Sequence, residues 1–104
     1  MKQRFLVVYE HGKRNYSGFA PDVLGCGSTG KTLTEMRRMM REALEAHLEL
    51  TAEHGDALPQ PTTVSVDFKE LDKIEESGVD HYVVEWLEIE VPAPSQAANT
   101  MANA

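Results

Sequence analysis

The chain has 104 residues, 41% of them hydrophobic and 26% charged, with a formal net charge of −7 from 17 acidic and 10 basic residues. That length admits one domain around one core, and the acidic balance disfavours autonomous binding to a phosphate backbone, suiting either a basic partner or plain solubility. A single cysteine, Cys26, excludes an internal disulfide and a cysteine-based zinc cluster. No apolar run approaches the roughly 20 residues that span a bilayer, and Met1-Lys2-Gln3-Arg4 leads straight into a strand-like segment without a cleavage pattern, so a cytoplasmic protein is expected.

Arg4 to Glu10 is a β-branched and aromatic run that predicts a strand, with Phe5, Val7 and Tyr9 on one face and Leu6 and Val8 on the other. Gly12 marks a turn into a second short strand over Asn15 to Ala20, closing a hairpin. Pro21 breaks that strand, and Val23 to Cys26 could form a third before the glycine-rich connection Gly25-Cys-Gly-Ser-Thr-Gly30. Thr32-Leu-Thr-Glu35 has the form of a capping box. It starts a helix from Leu33 to about His54, with Met36, Met40, Ala43, Leu44, His47 and Leu48 on one stripe and Gly55 as the stop. Asp56 to Pro61 reads as a loop, Thr62 to Phe68 as a half-buried strand, and Lys69 to Gly78 as a helical turn or loop. The last strand, His81 to Val91, places Leu87, Ile89 and Val91 on one face. Tyr82, Val84 and Trp86 share the other face with Glu88 and Glu90. From Pro92 onward the composition predicts a disordered tail, so the domain is expected over residues 1–91 and the tail over 92–104.

Gly25 to Thr32 satisfies the P-loop pattern, in which backbone N–H groups and a lysine hold phosphates. The context argues against it. Pro21 and Asp22 interrupt the segment entering the loop, and the hairpin upstream implies an antiparallel sheet, whereas a P-loop comes after a buried parallel strand.

The same residues, taken with their surroundings, resemble the HicB-like antitoxins. The resemblance rests on Phe19-Ala-Pro-Asp-Val-Leu-Gly-Cys26, on Ser28, Gly30, Thr32 and Glu35, on the helix segment Arg41 to Glu49, and on Gly55 and Leu58-Pro-Gln-Pro61. It covers about residues 4 to 68; Pro21, Gly25, Cys26, Gly30, Thr32 and Glu35 are its structural motif. Leu24 stands where the family commonly has proline, and Met36 where it commonly has alanine. The resemblance implies an α+β fold, a partial ribonuclease-H-like β-β-β-α-β antiparallel sheet with one long helix, here with an extra C-terminal strand. It further implies a bacterial toxin–antitoxin system in which this chain covers a small basic, HicA-like RNA-cleaving toxin. Full-length members usually add a C-terminal DNA-binding module; the stretch after Phe68 is too short for one, so no DNA binding is expected.

A ribonuclease-H-like scaffold invites a metal-dependent nuclease, with Glu10, Glu35, Glu42 and Asp67 as candidate carboxylates. Glu35 is accounted for by the cap and Glu42 by a solvated helix face. His11, His47, His54 and His81 show no paired ligand spacing, and Cys26 reads as a small buried thiol, so neither metal, cofactor nor catalysis is expected. The interaction surface is expected on the last strand, at Tyr82, Val84, Trp86, Leu87 and Ile89, because one helix can cover only one face of a sheet. A second copy or a toxin would supply the rest; the preferred reading is a homodimer. Against the antitoxin stand a solitary homodimeric domain of this type and, more distantly, the nuclease.

Overall fold

The chain starts in a ten-residue strand, β1 (Lys2–His11), whose apolar residues alternate as their parity dictates. The computed structural model describes residues 1–67, 69 and 79–92. β2 (Tyr16–Phe19), β3 (Gly27–Gly30), the helix α1 (Leu33–Glu53) and β4 (His81–Glu90) complete the order β-β-β-α-β. The four strands make one antiparallel sheet in the order β3-β2-β1-β4, with β1 central.

α1 lies on the face that carries Phe5, Val7, Tyr9, Leu87 and Ile89. Its stripe of Met36, Met40, Leu44 and Leu48 is fully buried against them, with Ala43 partly so. Each such side chain contributes about 1.5–3 kcal/mol of transfer free energy. The N-cap contributes only ~1 kcal/mol, so the stripe keeps the helix in place and the cap sets where it begins. Thr32 Oγ1 accepts from the Glu35 backbone N–H at 3.1 Å, and the Glu35 carboxylate reaches back to the Lys31 N–H at 3.2 Å, one residue before the position a capping box would use. At the other end Gly55 has φ of 75°, and the bonds from Gly55 N–H to Ala52 O and from Asp56 N–H to Thr51 O form a Schellman motif.

Two strands differ from the sequence expectation. Val23 to Cys26 is a turn, closed by bonds from Val23 N–H to Ala20 O and from Cys26 N–H to Val23 O, and Gly25 takes φ of 80°. The third strand is the glycine-rich stretch immediately after it. Glycine has poor strand propensity, but here it is required by packing. A Cβ on Gly30 would sit 2.6 Å from the backbone nitrogen of Met36 and 2.7 Å from its Cα, so only glycine lets the first turn of α1 rest on β3.

Residues 62–67, the described part of the second departure, form no strand, and Val64 is 73% exposed. β4 pairs with one edge of β1 along its whole length, and β2 pairs with the other edge at Val8–His11. The Asp22 carboxylate instead holds the segment beside the turn after β2. It accepts from Thr62 Oγ1 at 3.1 Å, Thr63 N–H at 2.8 Å and Thr63 Oγ1 at 2.6 Å. The strand that returns to β1 is therefore His81–Glu90. Phe68, the expected turn over 70–78 and the expected tail beyond Pro92 lie outside the described residues.

Gly30→Ala is expected to lower the unfolding free energy by about 2–3 kcal/mol, against ~1 kcal/mol for Thr32→Ala, both read from urea unfolding. Asp22 supplies a pH test. Desolvation raises its pKa, but the bonds from Thr63 and Thr62 outweigh this and hold it below the ordinary carboxylate value. A depressed folded-state pKa contributes stability that is present above the unfolded value and lost as pH falls through the folded one. The urea midpoint of wild type should thus exceed that of Asp22→Asn at neutral pH, with the gap closing below about pH 4. A gap unchanged across that range would show that the carboxylate charge contributes nothing.

Candidate functional site

β4 pairs with β1 along its whole length, and the register fixes which of its side chains face where. Leu87 and Ile89 point to the helix and are 3% and 1% exposed. They belong to the monomer's core, so neither is available as a contact with another chain. Tyr82, Val84 and Trp86 are on the opposite face, beside Leu6, Val8 and Phe19: Leu6 stands opposite Trp86, and Val8 lies between Val84 and Phe19. Leu6 and Val8 are buried, whereas Trp86 at the rim is 45% exposed.

The outer edge of β4 is divided. Odd-numbered residues bond to β1, as the bond from Val91 N–H to Met1 O shows, so the N–H and C=O groups of even-numbered residues point away from the sheet. Near the C-terminal end, side chains of α1 occupy those groups: Arg41 Nε donates to Glu88 O at 3.2 Å, and the Glu45 carboxylate accepts from Glu90 N–H at 2.8 Å. Arg37 Nε bonds both oxygens of Glu85, at 2.8 and 3.1 Å, fastening the helix to the middle of the strand. At Val84 and Trp86 no side chain of the described residues takes the outward backbone groups. Behind this seam the Tyr9 hydroxyl is buried, with no hydrogen-bond partner of ordinary geometry among the described residues. Burial first, and then the nearby Glu85 carboxylate, pushes its pKa upward.

The other sequence candidates separate. The P-loop-like residues Gly27–Gly30 pair with β2 as an edge strand, so their backbone is not a phosphate cradle. Pro21 and Gly25 shape the turn, Cys26 is buried with its thiol pKa raised by burial, and Gly30, Thr32 and Glu35 seat and cap α1. Among the described residues Glu10, Glu35, Glu42 and Asp67 form no cluster able to share a metal ion. Asp67 is exposed and accepts from Lys69 N–H. His47 is half-buried on the helix stripe, and His54 caps its C-terminus.

Sequence reasoning passed over one group. His11, the last residue of β1, stands directly opposite His81, the first of β4, and Asp80 precedes it. Asp80 Oδ2 lies 3.3 Å from His11 Nδ1 and 3.2 Å from His81 Nδ1. Hydrogen bonds from His81 and then His11 hold the Asp80 carboxyl below its usual range. The two imidazoles stack with centroids 4.7 Å apart, and Tyr16 packs against His11 at 4.6 Å. The histidines are 70 positions apart, so ligand spacing could not show them; the pairing of first and last strands, had it been assigned, would have done.

Comparison with known proteins adds a family. Residues 5–76 match the model of the HicB-like antitoxin of bacterial toxin–antitoxin systems. A UPF0150 protein of Thermotoga maritima is 34% identical over 67 residues, which span 64% of this chain and 85% of that one. A chain of a toxin–antitoxin complex from Streptococcus pneumoniae superposes with a TM-score of 0.68 at 15% identity, over 99% of this chain and 88% of that one. The N-terminal domain of the Burkholderia pseudomallei antitoxin HicB does so with a TM-score of 0.56 at 23% identity, over 88% of this chain and all of that one. At these identities the two structures speak for the fold.

Proposed function

This chain belongs to the HicB-like antitoxin family, and on that premise we propose that it is a non-catalytic antitoxin that neutralises a small, HicA-like RNA-cleaving toxin by binding it. The family membership carries the reading. The net charge of −7 supports it, since a basic RNA-binding toxin would be drawn to an acidic surface and held there against its own substrate. We propose further that the chain acts as a homodimer built on Tyr82, Val84 and Trp86 of β4, leaving the toxin another surface. Two features support this. Trp86 is large, half-exposed and aromatic, the usual anchor of a protein contact. The outward backbone groups at Val84 and Trp86 offer main-chain pairing beside it. An antiparallel second copy centred near Val84 would use both while clearing Arg41 and Glu45.

The dimer has a direct measurement. Trp86→Glu should retain the circular dichroism spectrum of wild type and elute as a smaller species on a sizing column; an unchanged elution volume from a folded variant would end the proposal. The antitoxin role is tested by co-expressing the tagged chain with whatever small protein is encoded beside it. A stable complex that relieves growth arrest is the expected result. A toxic neighbour that neither co-purifies nor loses its toxicity would count against this chain as its antitoxin, and would favour a solitary homodimeric domain.

A further inference from the structure

The end of the sheet where β1 stops and β4 starts brings together two imidazoles and one carboxylate from segments about 70 residues apart. One ligand atom from each of His11, Asp80 and His81 lies within 4.8 Å of both others. Four-coordinate zinc has bonds of about 2.0–2.2 Å, which puts neighbouring ligand atoms about 3.3–3.6 Å apart. The two separations from Asp80 Oδ2, 3.3 and 3.2 Å, already have close to that length. Closing the third edge requires only that the rings pivot, and the side chains of His11, His81 and Asp80 are 28%, 49% and 70% exposed.

The backbone beneath them is fixed. His11 and His81 are register partners in the β1–β4 ladder, and Asp80 N–H donates to His11 O at 2.7 Å. Tyr16, the register partner of His11 on β2, closes one flank of the imidazole pair with its ring. Both Nδ1 atoms are turned to the same carboxylate oxygen.

We propose that His11, Asp80 and His81 bind a late first-row divalent metal ion, zinc foremost, with water in the fourth position. Two nitrogen donors and one carboxylate suit zinc, whereas magnesium and calcium take oxygen ligands. The ion clips the end of β1 to the start of β4, so its effect is to stabilise the pairing of the first and last strands. The site uses none of the residues assigned to the dimer contact and stands independently of the antitoxin reading.

The test is titration of the full chain with zinc alone, followed by calorimetry and by thermal unfolding with and without the ion. One zinc per chain at micromolar affinity is expected, with a rise in Tm. Cobalt in its place should show the intense visible ligand-field bands of four-coordination. Asp80→Asn and His81→Ala, both at exposed positions, should keep the wild-type circular dichroism spectrum, weaken zinc binding at least ~10-fold and abolish the Tm rise. His54→Ala should do neither. Zinc binding that survives His81→Ala and Asp80→Asn unchanged, or is lost in His54→Ala instead, overturns the proposal, as does the absence of saturable binding by wild type.

Discussion

β1 lies between β2 and β4 and is apolar on both faces, and that dictates the placement of the other elements. Phe5, Val7 and Tyr9 need cover on one face, which α1 supplies with four fully buried side chains. Leu6 and Val8 put a second apolar layer on the other. β4 takes one edge of β1 throughout and β2 the other at Val8–His11, while residues 62–67 are held by Asp22 beside the turn after β2. The helix can approach the sheet as it does only because β3 and the middle of β2 are short of side chains. A Cβ on Gly18 would meet Met36 Cε at 2.8 Å, and one on Gly30 would meet the helix backbone itself.

The antiparallel arrangement gives the two ends of β4 different chemistry. Its start, with His81 beside His11, is a polar cluster of nitrogen and oxygen donors. Its middle carries Val84 and Trp86 outward and is fastened to α1 through Glu85, and its end is fastened to α1 through Glu88 and Glu90. A protein-binding role and a metal-binding role can thus share one ten-residue strand without sharing a side chain.

Much of this was legible in the residues, and the parts that were not share a cause. α1 was readable because its cap, stripe and stop act over three or four positions, and all three are where the local pattern puts them. The motif from Pro21 to Glu35 carried the family. β3 was misplaced because local propensity steers strands away from glycine, while the contact that demands glycine comes from Met36, in the next element. The strand expected at 62–68 had the right alternation, but alternation does not show that Thr62 and Thr63 bond to the Asp22 carboxylate, 40 and 41 positions away. Leu87 and Ile89 looked like interface residues until the register placed them under α1. The histidine pair was invisible for the same reason, since only knowledge that the first strand pairs with the last brings His11 to His81.

The side chains of Arg41 and Glu45 have a bearing on solubility. A sheet with an open edge is a template on which copies can stack without limit, and aggregation through such edges is a standing hazard for β proteins. Here one outer strand is only four residues long, and the other has its final backbone groups already engaged by the helix. An incoming strand would be stopped at Glu88, so this edge resists growth of the sheet into a ribbon.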